Sequence, residues 1–289
     1  MKLSIDIFEM AQRYGDFKAV EMIKEAGFDA LDYTFCCRGD DIEILSDNYI
    51  EYAKKLRDHI DKNGLICNQA HAPLGFGIAL PPDKYEAKFK QIVRSIEAAS
   101  ILGAKTIVVH SQGVPDDSDV DPFEHNVKYY KSLIPYCEKF GICVAMENLA
   151  RIHPKSGNWC GCFPSTPEEM KKALLEEINS PWIVACVDVG HSTLVGLAPE
   201  KFLSKLDGSY LKALHIHDAD YVDDRHSMPF TWEINWEAVM KTLKKIGYEG
   251  DLNFEILEFL ARFPDALLSE TLKFVAKVGR HLISIYEKA

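Results

Sequence analysis

Short β-rich apolar runs alternate with longer amphipathic stretches along the whole of this 289-residue chain. LSIDIF (3 to 8), FDALDYTF (28 to 35), LICNQAHAP (65 to 73), KTIVVHSQ (105 to 112), ICVAMENL (142 to 149), WIVACVDVGHS (182 to 192), LKALHIHD (211 to 218) and DLNFEIL (251 to 257) each predict a strand. Between these eight runs the apolar period lengthens to that of a helix. Over residues 84 to 103, Tyr85, Phe89, Ile92, Ile96, Ala99 and Leu102 form one stripe, with Lys84, Lys88, Arg94 and Glu97 opposite. Asp121-Pro122-Phe123-Glu124 and Thr166-Pro167-Glu168-Glu169 read as helix starts, each placing a capping side chain before a proline and a glutamate. Gly27, Gly64, Gly103, Gly141 and Gly247 fall where helices stop, and a last amphipathic stretch covers about 265 to 287.

A strand–loop–helix unit repeated eight times predicts an α/β fold, a single (β/α)8 TIM barrel, in one domain over residues 1–289. An open doubly wound sheet is the alternative. It requires a glycine-rich turn after the first strand, where Phe8-Glu9-Met10-Ala11-Gln12 stands instead.

The barrel gives the polar residues a place, because all its strands end on one rim. His71, His110, Glu147, Asp188, His191, His215 and Glu255 lie at or just past strand ends, and Asp224 and His226 follow in the loop after the seventh strand. Glu147, Asp188, His215 and Glu255 come from the fifth to eighth strands in order. Carboxylates gathered in one basin raise one another's pKa unless a cation sits among them, and one histidine with three carboxylates suits Mn, Mg, Co or Zn. His71, His110, His191, Asp224 and His226 form a second tier, either substrate-binding residues or additional metal ligands. The plainer alternatives are rim salt bridges, hydrogen-bonded rim histidines and a solvated loop. His217 ranks behind His215, since Asp218 and Asp220 compete for it.

A net charge of −11 and a pI near 5.4 disfavour a phosphate-backbone partner, so no nucleic acid is expected and a small-molecule substrate is favoured. Asp6 and Glu9 interrupt what a secretory signal would keep apolar, and no run reaches transmembrane length. With eight scattered cysteines, the expected location is cytoplasmic with reduced thiols. The long final helix offers a surface for a homo-oligomer.

HAPLG, VVHSQG, MENL, VDVGHS, HIHDAD followed by DDRH, INW (234 to 236), IGYEG (246 to 250) and the last-strand Glu255 together resemble the xylose isomerase-like TIM barrels over essentially the whole chain. That group holds sugar phosphate isomerases and epimerases, D-tagatose 3-epimerase and its relatives, inosose dehydratases and endonuclease IV. The epimerase branch implies Glu147, Asp188, His215 and Glu255 as metal ligands, His191 on the substrate, and Glu147 and Glu255 as the pair that moves a proton through a cis-enediolate. The endonuclease branch implies all nine rim residues as zinc ligands. Two positions depart from the ketose 3-epimerases: His153 replaces a glutamate and Tyr221 an arginine. Against the endonuclease branch, Leu74 stands where that branch has a duplex-probing aromatic. The resemblance implies a metal-dependent isomerase or epimerase of a small ketose, cyclitol or sugar derivative, with a keto-sugar or inosose dehydratase and a zinc phosphodiesterase as alternatives.

Overall fold

The computed structural model describes residues 1–36, 38, 39 and 42–289. Its strands are β1 (Leu3–Asp6), β2 (Ala30–Thr34), β3 (Ile66–His71), β4 (Thr106–Val108), β5 (Cys143–Glu147), β6 (Leu149–Ile152), β7 (Trp159–Cys162), β8 (Ile183–Asp188), β9 (Leu211–His215) and β10 (Leu252–Phe254). Eight of them form one sheet in the order β10-β1-β2-β3-β4-β5-β8-β9, and every pair in it is parallel. A bridge between Ile216 and Phe254 joins the two ends, with Ile216 N–H donating to the Asn253 carbonyl at 2.9 Å and Glu255 N–H to that of Ile216 at 3.1 Å. The sheet closes into a (β/α)8 barrel, as the eightfold alternation predicts.

Each barrel strand is shorter than its sequence run, and His71, Glu147, Asp188 and His215 are the last residues of β3, β5, β8 and β9. The clearest case is VGHS. It forms not strand but the helix Val189–Leu194, since the Asp188 carboxylate caps the His191 N–H at 2.7 Å and starts a helical turn. The pattern also misses the antiparallel hairpin β6–β7, whose strands lack period-2 apolar alternation.

Helix boundaries follow the capping chemistry. Asp121 accepts from the Phe123 and Glu124 N–H groups at 2.8 and 3.0 Å and opens the helix Pro122–Phe140. Thr166 and Glu169 form a reciprocal capping box before Pro167–Lys171. The helix Pro82–Leu102 buries Ile92, Ile96, Ala99 and Leu102, while Tyr85 and Phe89 pack at the core's edge. It ends at Gly103, whose φ of +94° is a left-handed conformation that side-chain-bearing residues rarely adopt. Among the described residues no helix is long and apolar enough to cross a membrane.

The main core lies between strands and helices. Inside the barrel the filling is divided. On one side Val108, Ala145, Val184, Cys186 and Ala213 form a small apolar cluster. On the other, Ser4, Asp6, Asp32, Gln69 and Asn253 are polar and buried, where barrels of this class ordinarily stack branched apolar side chains.

Candidate active site

Above that divided interior, the nine rim residues singled out by the sequence converge. Glu147, at the end of β5, is at the centre: Oε2 lies 2.9 Å from His110 Nε2 and 3.7 Å from His71 Nε2, and Oε1 lies 3.0 Å from His215 Nδ1 and 3.4 Å from His191 Nδ1. His215 Nδ1 is also 3.3 Å from Glu255 Oε2 and 4.0 Å from Asp188 Oδ2, so one ring nitrogen faces three carboxylates. The quartet is not an isolated unit. The side chains whose ligating atoms fall within 4.8 Å of one another are His71–His110–Glu147, His71–His215–Glu255, Glu147–Asp188–His191, His191–Asp224–His226 and His217–His226–Glu255.

His217, ranked low in the sequence, belongs to the last group. Its ring is buried, Nε2 lies 2.9 and 3.0 Å from the two Asp188 oxygens, and it stacks on His226 at 4.1 Å between centroids. The signal was period-2 alternation, which turns residues 215 and 217 to the same face. The competition expected from Asp218 does not arise, because that carboxylate is engaged elsewhere. It accepts from the N–H groups of Ala219, Thr231, Trp232 and Ile234 and from Trp236 Nε1–H. Asp218 thereby holds the loop that carries Asp224 and His226, and Asn235 of INW caps the helix Trp236–Lys245 that follows.

Local structure aims the imidazoles. His71 Nδ1–H donates to the Ala72 carbonyl at 2.9 Å, His191 Nδ1–H to Asn148 at 3.0 Å and His226 Nδ1–H to Glu255 at 3.1 Å, which leaves Nε2 of each ring for the basin. Asn148 brackets the backbone of Asp188, donating to its carbonyl at 2.9 Å and accepting its N–H at 2.8 Å, and so ties β5 to β8.

Electrostatics follow from burial and pairing. Burial opposes the charge on Glu147, yet His215 and His110 hold its carboxyl well below the usual range. Asp188 is lowered against burial by His191 and His217. Burial also opposes charged imidazoles, but Glu147 and Glu255 raise His71 and His215 to about 10, and Asp224 and Glu255 raise His226 to about 10. His110 goes the other way, lowered by burial. With no cation bound, protons on His71, His215 and His226 balance part of that negative charge at neutral pH.

Beneath the basin lie two carboxylates that the sequence reading passed over. Asp6 and Asp32 are register partners on β1 and β2, and burial raises both pKa values. His153 and Tyr221 lie outside the groups that converge here: His153 Nδ1 accepts from the Lys155 and Ser156 N–H groups within the hairpin turn, and Tyr221 is exposed.

The chain is similar to an uncharacterized protein, MJ1311, of Methanocaldococcus jannaschii, at 28% identity over 246 residues, covering 82% of this chain and 78% of that protein. Its fold matches a D-tagatose 3-epimerase-like protein with a TM-score of 0.76 and 23% identity over 100% of this chain and 99% of the other. It also matches the IOLI protein with a bound zinc atom, with a TM-score of 0.70 and 18% identity over 100% and 99%. Residues 20–278 match the model of the xylose isomerase-like TIM barrels, and with the closed barrel and its single converging rim this chain belongs to that family.

Proposed function

We propose that the protein is a divalent-metal-dependent isomerase or epimerase of a small ketose, cyclitol or sugar derivative. The observation that carries the reading is His215 Nδ1 facing Glu147, Glu255 and Asp188 at 3.0, 3.3 and 4.0 Å. The donor set fits a divalent cation. Buried carboxylates crowd together only where positive charge balances them, and one imidazole with three carboxylates is a ligand set that manganese, magnesium, cobalt and zinc accept. Glu147, Asp188, His215 and Glu255 would hold the ion, and the chemistry it supplies is Lewis-acid polarisation of a carbonyl–hydroxyl pair. The D-tagatose 3-epimerase-like and zinc-bearing neighbours support the sugar and the metal.

The chain's own residues do the proton work. Glu147 is ionised, and its Oε1 and Glu255 Oε2 flank the same ring nitrogen. One carboxylate removes the proton from the carbon between the two substrate oxygens, leaving the cis-enediolate, and the other returns it. His71, His110 and His191 present ring nitrogens toward the basin for substrate hydroxyls, and Asp224, 3.5 Å from His191 Nε2, lies on the same side with His226 beside it. In deuterated water with divalent metal and a panel of ketoses and cyclitols, deuterium is expected at one carbon of the substrate taken. Absence of exchange across the panel overturns the proposal, and a product lighter by one water moves the reading to a dehydratase.

A second reading, hydrolysis of a phosphodiester by several zinc ions, is favoured by one observation: His71–His110–Glu147 and His191–Asp224–His226 are each compact groups as well. The net charge of −11 opposes a polynucleotide substrate. Three tightly held zinc ions with salt-dependent binding to damaged duplex would decide for it.

A further inference from the structure

We infer that Asp32 is the positioning residue for His215, fixing from below which ring nitrogen is offered to the metal. The inference rests on the metal reading above.

His71, His191 and His226 are each turned by a backbone carbonyl that accepts from Nδ1. His215 is oriented the opposite way, with Nδ1 in the basin and Nε2 directed down into the barrel. Among the described residues that Nε2 has no hydrogen-bond partner, although the ring is wholly buried. The charge facing it is Asp32, whose Oδ2 lies 3.9 Å away. Inside a protein a charge–dipole interaction at that distance is not screened as it is in water.

Asp32 is itself held. Its Oδ2 accepts from Gln69 Nε2 at 2.7 Å and Asn253 Nδ2 at 2.8 Å, so amides from β3 and β10 clamp a carboxylate from β2. Gln69 Nε2 also lies 3.5 Å from the Leu214 carbonyl, next to His215. Asp32 Oδ1 and Asn253 Oδ1 are buried acceptors without partners among the described residues. With the Asp32 carboxylate facing Nε2, a proton on Nε2 is favoured and the Nδ1 lone pair is left for the ion, as when a carboxylate orients a metal-bound histidine. A polar layer here sacrifices apolar packing, and orienting the histidine above it is a physical reason for its presence.

The test titrates zinc into chelator-stripped wild type, Asp32→Asn and Gln69→Leu, with metal-free thermal midpoints measured alongside. In the wild type loaded with ¹¹³Cd, ¹⁵N spectra of His215 are expected to show coupling at Nδ1 and a proton on Nε2. Asp32→Asn is expected to bind zinc about 10–100-fold more weakly and to lose that single protonation pattern. Its metal-free midpoint should not fall. Gln69→Leu removes one clamp but keeps the carboxylate, and is expected to keep the Nε2 proton and to lose clearly less affinity than Asp32→Asn. Wild-type affinity in Asp32→Asn overturns the positioning role and leaves the metal reading standing. Equal losses in both variants, or a loss matched by a lower metal-free midpoint with the ¹⁵N pattern unchanged, make the layer structural and overturn it too. A wild type that binds no divalent ion overturns both.

Discussion

A Cβ added to Gly190 would lie 1.9 Å from Cε1 of His217, so this glycine is what allows the ring to reach Asp188. The contact explains the glycine in VDVGHS as close packing between two rim elements. Gly190→Ala is expected to lower unfolding stability by about 1–3 kcal/mol through overpacking. In Gly190→Ala combined with His217→Ala, part of that loss should return, because the smaller side chain vacates the contested space. Urea unfolding of the two single variants and the double variant measures the coupling. Simple additivity would show that the two residues do not press on each other. Sequence placed Glu147, Asp188, His215 and Glu255 at strand ends by type and position, whereas the approach of His217 to Asp188 and the place of Asp32 beneath His215 came only from the structure. His217 and Asp32 both lie in apolar strand-like runs, where a polar residue's partner is not visible until distant strands are side by side.

At the scale of elements, the loop after β9 depends on one carboxylate. Asp218 accepts from four backbone N–H groups and the Trp236 indole, and thereby shapes the segment that brings Asp224 toward His191 at 3.5 Å. Asp218→Ala leaves those donors unsatisfied and is expected to cost about 3 kcal/mol of stability. The same variant should be cut faster by protease between residues 219 and 233 than elsewhere, and uniform cleavage along the chain would count against the anchoring role. Strand and helix positions were legible because periodicity and capping are local. The hairpin β6–β7 and the conversion of VGHS into a helix were not, since each depends on what its residues meet after the strand ends.

At the scale of the whole molecule, the rim is a buried ion network whose balance changes with pH. His71, His215 and His226 are raised to about 10 from an unfolded value of about 6.5. A raised folded pKa contributes stability that is fully present below about pH 6.5 and is lost as pH rises through about 10. Glu147 and Asp188 are lowered, so their contribution is present above the ordinary carboxylate pKa and is lost as acid is added. The thermal midpoint of chelator-treated protein should therefore fall between pH 6.5 and 10. The metal-bound form should trend oppositely, because ligand histidines must shed their protons. The gain in midpoint on adding metal is expected to widen over the same range, with proton release visible as buffer-dependent heat. A metal-free midpoint that rises with pH would contradict this balance.

The sequence by itself determined the eightfold repeat, the helix caps and the nine side chains that meet on the rim, because alternation, capping and strand order are properties of short segments. Tertiary structure decided which atoms meet. Asn253 clamps an Asp32 that is 221 residues away in the chain, His217 and Asp188 approach across neighbouring strands, and His71, His191 and His226 are each oriented by the backbone carbonyl behind Nδ1. Those distances follow from closing the barrel, which joins the end of the chain to its beginning and turns a spaced series of acids and histidines into one site.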